Sequence, residues 1–383
     1  MSQAHELRKF LAPEFIFGNG ARQLAGQYAR NLGARNVLVV TDPGVIAAGW
    51  VDDVLASLRR KRIQTTVFDE VTPNPRDHEV MAGAELYLQQ GCNAIVAVGG
   101  GSPMDCAKGI GIVSSSRRHI LDFEGVDNVI TPPPPLFCIP TTAGSSADVS
   151  QFAIITDTTR KVKIAIISKA VVPDVALIDP ETTTTMNPYI TACTGIDALS
   201  HAFEAYVSNA QSAITDLHAL EAVRLVSKHL IAATQRPTDP AIRAAMMQGS
   251  LYAGMAFSNA SLGAVHAMAH SLGGFLDFPH GATNAILLPY VVEYNFEAAP
   301  GRYLALAQAM GITPTPGHER EELLQALFDM RQTAGFTDTL TTLGLDPRYI
   351  PQLAQNAMQD ACIVTNPRPP TQKDIELIYE RAV

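Results

Sequence analysis

Three histidines and one aspartate stand at separations that can close a metal site. Asp197 and His201 lie four residues apart, so a helix over this stretch sets both on one face. His266 and His270 repeat that spacing, and His280 follows Phe278-Pro279 at a break where a third segment can enter. Ala202, Ala267 and Ala269 make the surroundings apolar and close-packed, a setting in which unpaired imidazoles are costly. Three imidazole nitrogens and a carboxylate oxygen suit Zn²⁺ or Fe²⁺, with a coordination position left open for a substrate. By spacing alone His270 is a further imidazole for the same cluster, and both hydrolysis and redox chemistry remain open.

A second constellation lies upstream. Gly99, Gly100, Gly101 and Ser102 follow the apolar run 94–98 and precede Pro103, which fits the first turn of a helix because its missing N–H is not needed there. Glycines admit close approach of a ligand to the backbone, and free amides at a helix start suit a pyrophosphate. The first strand-to-helix turn, Asp42-Pro43-Gly44, lacks the GxGxxG fingerprint, so a nucleotide here is held differently from one in a standard Rossmann crevice. Asp42 can hold the hydroxyls of an adenosine ribose and repel a 2′-phosphate, and helix capping explains the same residue. The segment 140–148 contributes Thr141, Thr142 and Ser145, small hydroxyl side chains able to wrap phosphate and ribose; a plain polar turn would use the same residues.

Positioning these groups requires two kinds of architecture. Short β-rich runs at 36–41, 64–68 and 94–98 alternate with helical patterns at 47–60, 76–90 and 103–113, the signature of a parallel sheet covered by helices. Residues 132–135, all proline, read as a rigid surface turn, after which a strand resumes at 136–139. Further strands are expected at 152–155, 162–167 and 175–178, the first two forming an antiparallel excursion across 158–160. After Asn187-Pro188 the β-branched runs vanish, and helices are expected at 190–207, 214–232, 240–257, 262–275, 284–295 and beyond. The expectation is therefore α/β plus all-α: a Rossmann-like nucleotide-binding domain over 1–187 and a helical metal-binding domain over 188–383.

Bulk composition narrows the function. A chain of 383 residues that is 47% hydrophobic buries a large core and favours two domains. A net charge of −9 offers no field for a nucleic-acid backbone, and the basic run Arg59-Arg60-Lys61-Arg62 sits at the end of an amphipathic helix, where cations belong. Apolar runs such as 94–98 and 285–288 are too short to span a bilayer. Residues 1–9 mix both charges without an apolar signal core, and five scattered cysteines with no CxxC read as free thiols; a cytoplasmic location is expected. Met246, Met247, Met255 and Met268 read as core fillers, His218 and His229 as packing or surface residues, and Tyr206 as the close of its helix.

Together these residues resemble the iron-dependent (group III) alcohol dehydrogenase family, which includes lactaldehyde reductase and 1,3-propanediol dehydrogenase. The resemblance runs along nearly the whole chain: residues 99–102 with Asp105 and Lys108, 140–144, 173–180, 194–206, 266–270, 279–281 and 366–368. It implies a dehydroquinate synthase-like fold, with Asp197, His201, His266 and His280 as iron ligands. It sets His270 near the nicotinamide and substrate, outside the ligand set, to orient substrate or relay its proton. It also implies NAD preference at Asp42, a pyrophosphate loop at 99–102, nucleotide contacts at Thr141, Thr142 and Ser145, and Lys163 near the cofactor ribose. Phe257 and Cys362 fall at the substrate end. The implied protein is a homodimer acting on a small alcohol or aldehyde with Fe²⁺ and NAD, by hydride transfer.

Two departures stand out from the family pattern. Ser145-Ser146-Ala147-Asp148 replaces the usual Thr-Gly-Ser-Glu, and Asn187 replaces a common proline after Met186. The competing readings are a Zn²⁺-dependent polyol dehydrogenase resembling glycerol dehydrogenase, a metal- and NAD-dependent lyase or synthase resembling dehydroquinate synthase, and a non-catalytic binding protein. The absence of an obvious basic substrate pocket argues against the synthase.

Overall fold

The runs that are apolar on every residue become the centre of a sheet. In a computed structural model, which describes residues 8–383, β2 (Asn36–Val40), β3 (Gln64–Phe68), β4 (Ala94–Gly99), β6 (Leu136–Pro140) and β9 (Val175–Ile178) join β1 (Glu14–Phe17) in one sheet of order β1-β9-β6-β4-β2-β3. Residues 1–7, most of the stretch read for an export signal, lie outside the described residues. Every pairing in this sheet is parallel, so each return needs a crossover, supplied by α2 (Pro43–Ala47) with α3 (Trp50–Arg60), by α4 (Asp77–Gln89) and by α5 (Gly101–Ser116). Helix α1 (Ala25–Asn31) packs beside α3. Strand β4 is buried along its whole length, as a central strand covered on both faces must be.

The antiparallel excursion forms as expected. Strands β7 (Phe152–Asp157) and β8 (Val162–Ile167) pair from Phe152 with Ile167 to Asp157 with Val162, and the short β5 (Gly125–Val126) adds to β8. Two local expectations need correction. The helix read at 47–60 is two helices, because Gly49 takes φ 85° and starts α3 afresh at Trp50. Strand β1 escaped the sequence reading: four residues at a sheet edge are too few to display a period.

From Pro188 the chain is helical: α6 (Pro188–Val207), α7 (Ala213–Gln235), α8 (Pro240–Ala260), α9 (Ala264–Leu276), α10 (His280–Asn295), α11 (Pro300–Ala309), α12 (Glu319–Thr333), α13 (Ile350–Gln359) and α14 (Gln372–Ala382). Asn187 caps α6 by accepting a hydrogen bond from the Ile190 amide at 2.8 Å, with Pro188 at the first helical position. Thus the replacement of proline by Asn187 supplies a cap. Helix α10 begins four residues before the expected 284, directly after Pro279. Helix α6 is buried over most of its length, and Met246, Met247, Met255 and Met268 fill the surrounding core. Among the described residues no helix is long and apolar enough to cross a membrane.

Candidate metal centre and dinucleotide cleft

Three helices converge on one carboxylate oxygen. Asp197 and His201 project from the same face of α6, His266 comes from α9, and His280 opens α10. The Nε2 atoms of His266, His280 and His201 lie 3.7, 3.8 and 4.0 Å from Asp197 Oδ1. Ligands about 2.1 Å from a common ion in a tetrahedron would stand about 3.4 Å apart, so a slight contraction around a cation closes the set. The donor atoms of Asp197, His201 and His266 all fall within 4.8 Å of one another.

The electrostatics call for a cation. Burial opposes charge on Asp197, but His201, His266 and His280 outweigh it and hold the carboxyl far below its usual range. Burial drives the His201 imidazole down to about 3 and His280 well below its ordinary value, which keeps both neutral with free lone pairs. Burial also opposes charge on His266, yet Glu204 and Asp197 raise it to about 9. Two buried acids thus share one imidazolium, and a divalent ion that displaced its proton would offset the remaining negative charge.

Two acids behind the cluster carry no assignment in the sequence reading. Glu204 accepts a hydrogen bond from His266 Nδ1 at 2.5 Å and another from the Val265 amide at 2.6 Å, which turns His266 Nε2 toward Asp197. Its signal was present, since it sits one turn beyond His201 on α6. Asp360 accepts from His270 Nδ1 at 2.8 Å and from the Cys362 amide at 2.8 Å. His270, stacked on His280 at 5.3 Å between ring centroids, therefore keeps Nε2 free of Asp360. Ninety residues separate His270 from Asp360 in the chain, and no spacing rule could have joined them.

The cluster ends a cleft of about 750 Å³ whose other wall is the sheet. Asp42, Gly100, Gly101, Ser102, Thr141, Thr142, Ser145 and Lys163 line it together with all four cluster residues, His270 and Phe257. Gly99, the last residue of β4, is buried and does not line the cleft. Gly100 precedes α5, so the unpaired amides of the first helical turn face the opening. A Cβ on Gly101 would come within 2.9 Å of the Ser145 side chain, so the two loops approach as closely as glycine permits. Asp42 caps α2 through a hydrogen bond from the Val45 amide at 2.9 Å and also lines the cleft.

Other residues settle into support. Lys108 is fully buried and donates to the carbonyls of Ser150 and Phe152 at 3.0 and 2.6 Å, tying α5 to the start of β7. Asp148, the shortened acid of the second loop, is buried and pushed up to about 6 by desolvation. Lys163 is lowered to about 8, burial outweighing the attraction of Asp105 and other acids. Phe257 stacks on His201 at 4.3 Å, whereas Cys362 lies behind Asp360 and off the cleft. His218 stacks on Phe10, and Tyr206 sits under the Arg302 guanidinium, both away from the opening.

A cleft that offers backbone amides and hydroxyls at one end and a carboxylate–imidazole metal cluster at the other defines a metal- and dinucleotide-dependent oxidoreductase. Residues 12–180 match the family model "Iron-containing alcohol dehydrogenase", and residues 191–383 match "Fe-containing alcohol dehydrogenase family, C-terminal". The chain belongs to the iron-containing alcohol dehydrogenase family. It is 40% identical to alcohol dehydrogenase 4 of Schizosaccharomyces pombe over 100% of this chain and 90% of that protein. It is 38% identical to 1,3-propanediol dehydrogenase of Citrobacter freundii over 99% of this chain and 100% of the relative. The crystal structure of a 1,3-propanediol oxidoreductase superposes with a TM-score of 0.95 at 37% identity, covering 99% of this chain and 100% of that one. The protein is thus an oxidoreductase of the iron-containing alcohol dehydrogenase class.

Proposed function

We propose that the protein interconverts a short alcohol or diol and its aldehyde, that Asp197, His201, His266 and His280 hold the Fe²⁺, and that Gly100, Gly101, Ser102, Thr141, Thr142, Ser145, Lys163 and Asp42 hold NAD, with Gly99 shaping the turn beneath them against Pro103. The observation that carries this reading is the ring of three Nε2 atoms 3.7–4.0 Å around Asp197 Oδ1, at the end of the loop-lined cleft. When bound, the iron supplies Lewis-acid polarisation of the substrate oxygen and NAD supplies the hydride acceptor. The amides at the start of α5 hold the pyrophosphate, and Asp42 holds the adenosine ribose and disfavours NADP.

His270 orients the alcohol. With Nδ1 committed to Asp360, Nε2 is the atom that takes the hydroxyl proton or passes it to water. Phe257 and Phe152 bring apolar surface to the cleft, which favours a short alkyl chain and limits water around the reacting carbon. The unit that holds NAD spans 1–187, and the unit that holds iron and substrate spans 188–383. Five buried, unpaired cysteines support a reducing, cytoplasmic setting. The edge position of β1, with Phe15 exposed, supports a homodimer in which a second copy covers that edge.

A substrate panel of primary alcohols and diols, run with NAD and with NADP on anoxically iron-loaded protein, tests the reading. Turnover is expected with short substrates and NAD. No turnover across the panel would overturn it, and equal turnover after Zn²⁺ replacement would favour a zinc polyol dehydrogenase.

A further inference from the structure

Asn284 lies four residues after His280 on α10 and is completely buried. Its Nδ2 donates to Asp197 Oδ1 at 2.6 Å and stands 3.2 Å from both His266 Nε2 and His280 Nε2. One amide nitrogen therefore sits against three of the four atoms assigned to the cation. An amide has two hydrogens, which match the two acceptors Asp197 Oδ1 and His280 Nε2. Its own Oδ1 is buried and has no hydrogen-bond partner. Such an arrangement serves the ligands at the expense of the asparagine, which is unusual for a buried amide.

A half-turn of the carboxamide exchanges its two ends at nearly the same position. Facing a cation-free cluster, the oxygen would meet the Asp197 carboxylate at 2.6 Å and the lone pair of His280, and repulsion would keep the amide as it stands. Beside a divalent cation the order reverses, because the amide hydrogens are then repelled and a carbonyl oxygen is a suitable hard donor. We infer that Asn284 is a two-state element of the metal centre. Its NH₂ group ties Asp197 to His280 in the cation's absence, and its Oδ1 turns toward the ion when one is bound. This inference rests on the four-ligand reading above and adds a residue that the ligand pattern does not contain.

The test compares the parent with Asn284→Ala, Asn284→Asp and Asp197→Ala, each stripped of metal. Anoxic chelator competition gives Co²⁺ and Fe²⁺ affinity, visible absorption of the Co²⁺ form reports coordination, and thermal unfolding of the metal-free form reports the placeholder. Asn284→Ala should weaken binding by about 10- to 100-fold, alter the Co²⁺ bands and lower the metal-free unfolding temperature. Asn284→Asp should recover affinity relative to Asn284→Ala, because it restores an oxygen, while making the metal-free form less stable than the parent. Parental affinity and spectrum in Asn284→Ala, with binding lost in Asp197→Ala, overturn the inference alone. Parental binding in Asp197→Ala overturns the ligand set and this inference with it. Should Asn284→Ala fail to fold, parental metal-free stability in Asn284→Asp is the overturning result.

Discussion

The two walls of the cleft recognise their ligands by different physics. The sheet wall presents backbone amides and short hydroxyls from loops after β4 and β6, so what matters there is how closely the chain can be approached. The helical wall presents single side-chain atoms from α6, α9 and α10, each braced by a group behind it, as Glu204 braces His266 and Asp360 braces His270. A backbone site is damaged by adding atoms, and a side-chain site by removing them. The walls should therefore fail separately, one losing NAD and the other losing iron.

The largest effect should come from His266→Ala. Removal of this ligand is expected to cut turnover on the order of 1,000-fold, about 4 kcal/mol in the barrier, and to lower iron content while NAD binding by fluorescence titration stays near parental. Glu204→Gln sharpens the contrast by keeping the shape and removing the brace's charge. Iron affinity by anoxic chelator competition should drop about 10- to 100-fold. On the opposite wall, Gly101→Ala sets a methyl group against Ser145 and should raise the KM for NAD about tenfold, equivalent to about 1.4 kcal/mol, with iron content unchanged. A paired loss of both ligands in any one of these variants would erase the distinction.

The smallest effect concerns pH. Burial lowers the Lys163 ammonium from 10.5 to about 8, so its positive charge is present below that pH and lost above it. Capture of the anionic cofactor, read as kcat/KM for NAD, should fall as pH rises through about 8, and Lys163→Arg should flatten the fall. Because the folded value lies below the ordinary one, the unfolded chain binds more protons between about 8 and 10.5. Lys163 by itself therefore makes stability rise with pH across that window.

The same contrast explains what could be read from the chain. Glycine loops and i, i+4 histidines announce themselves because backbone approach and helical facing are local properties. The braces are less visible. Glu204, three residues after His201, and Asn284, four after His280, each share a helix face with a histidine, but an acid or amide near a histidine is common enough to pass without notice. Asp360 meets His270 only because α13 ends beside α9, a packing fact with no local trace. Strand β1 and the break at Gly49 were missed for the related reason that short elements carry too few residues to show a period.

Anoxic removal and return of iron is the most direct measurement. Chelated protein, titrated with Fe²⁺ and assayed for NADH formation from a short diol, should be inactive at the start and recover in proportion to metal up to about one ion per chain. NAD affinity should hold steady throughout, because the sheet wall does not depend on the ion. Iron-free protein turning over at the parental rate would contradict a reaction centred on Asp197, His201, His266 and His280.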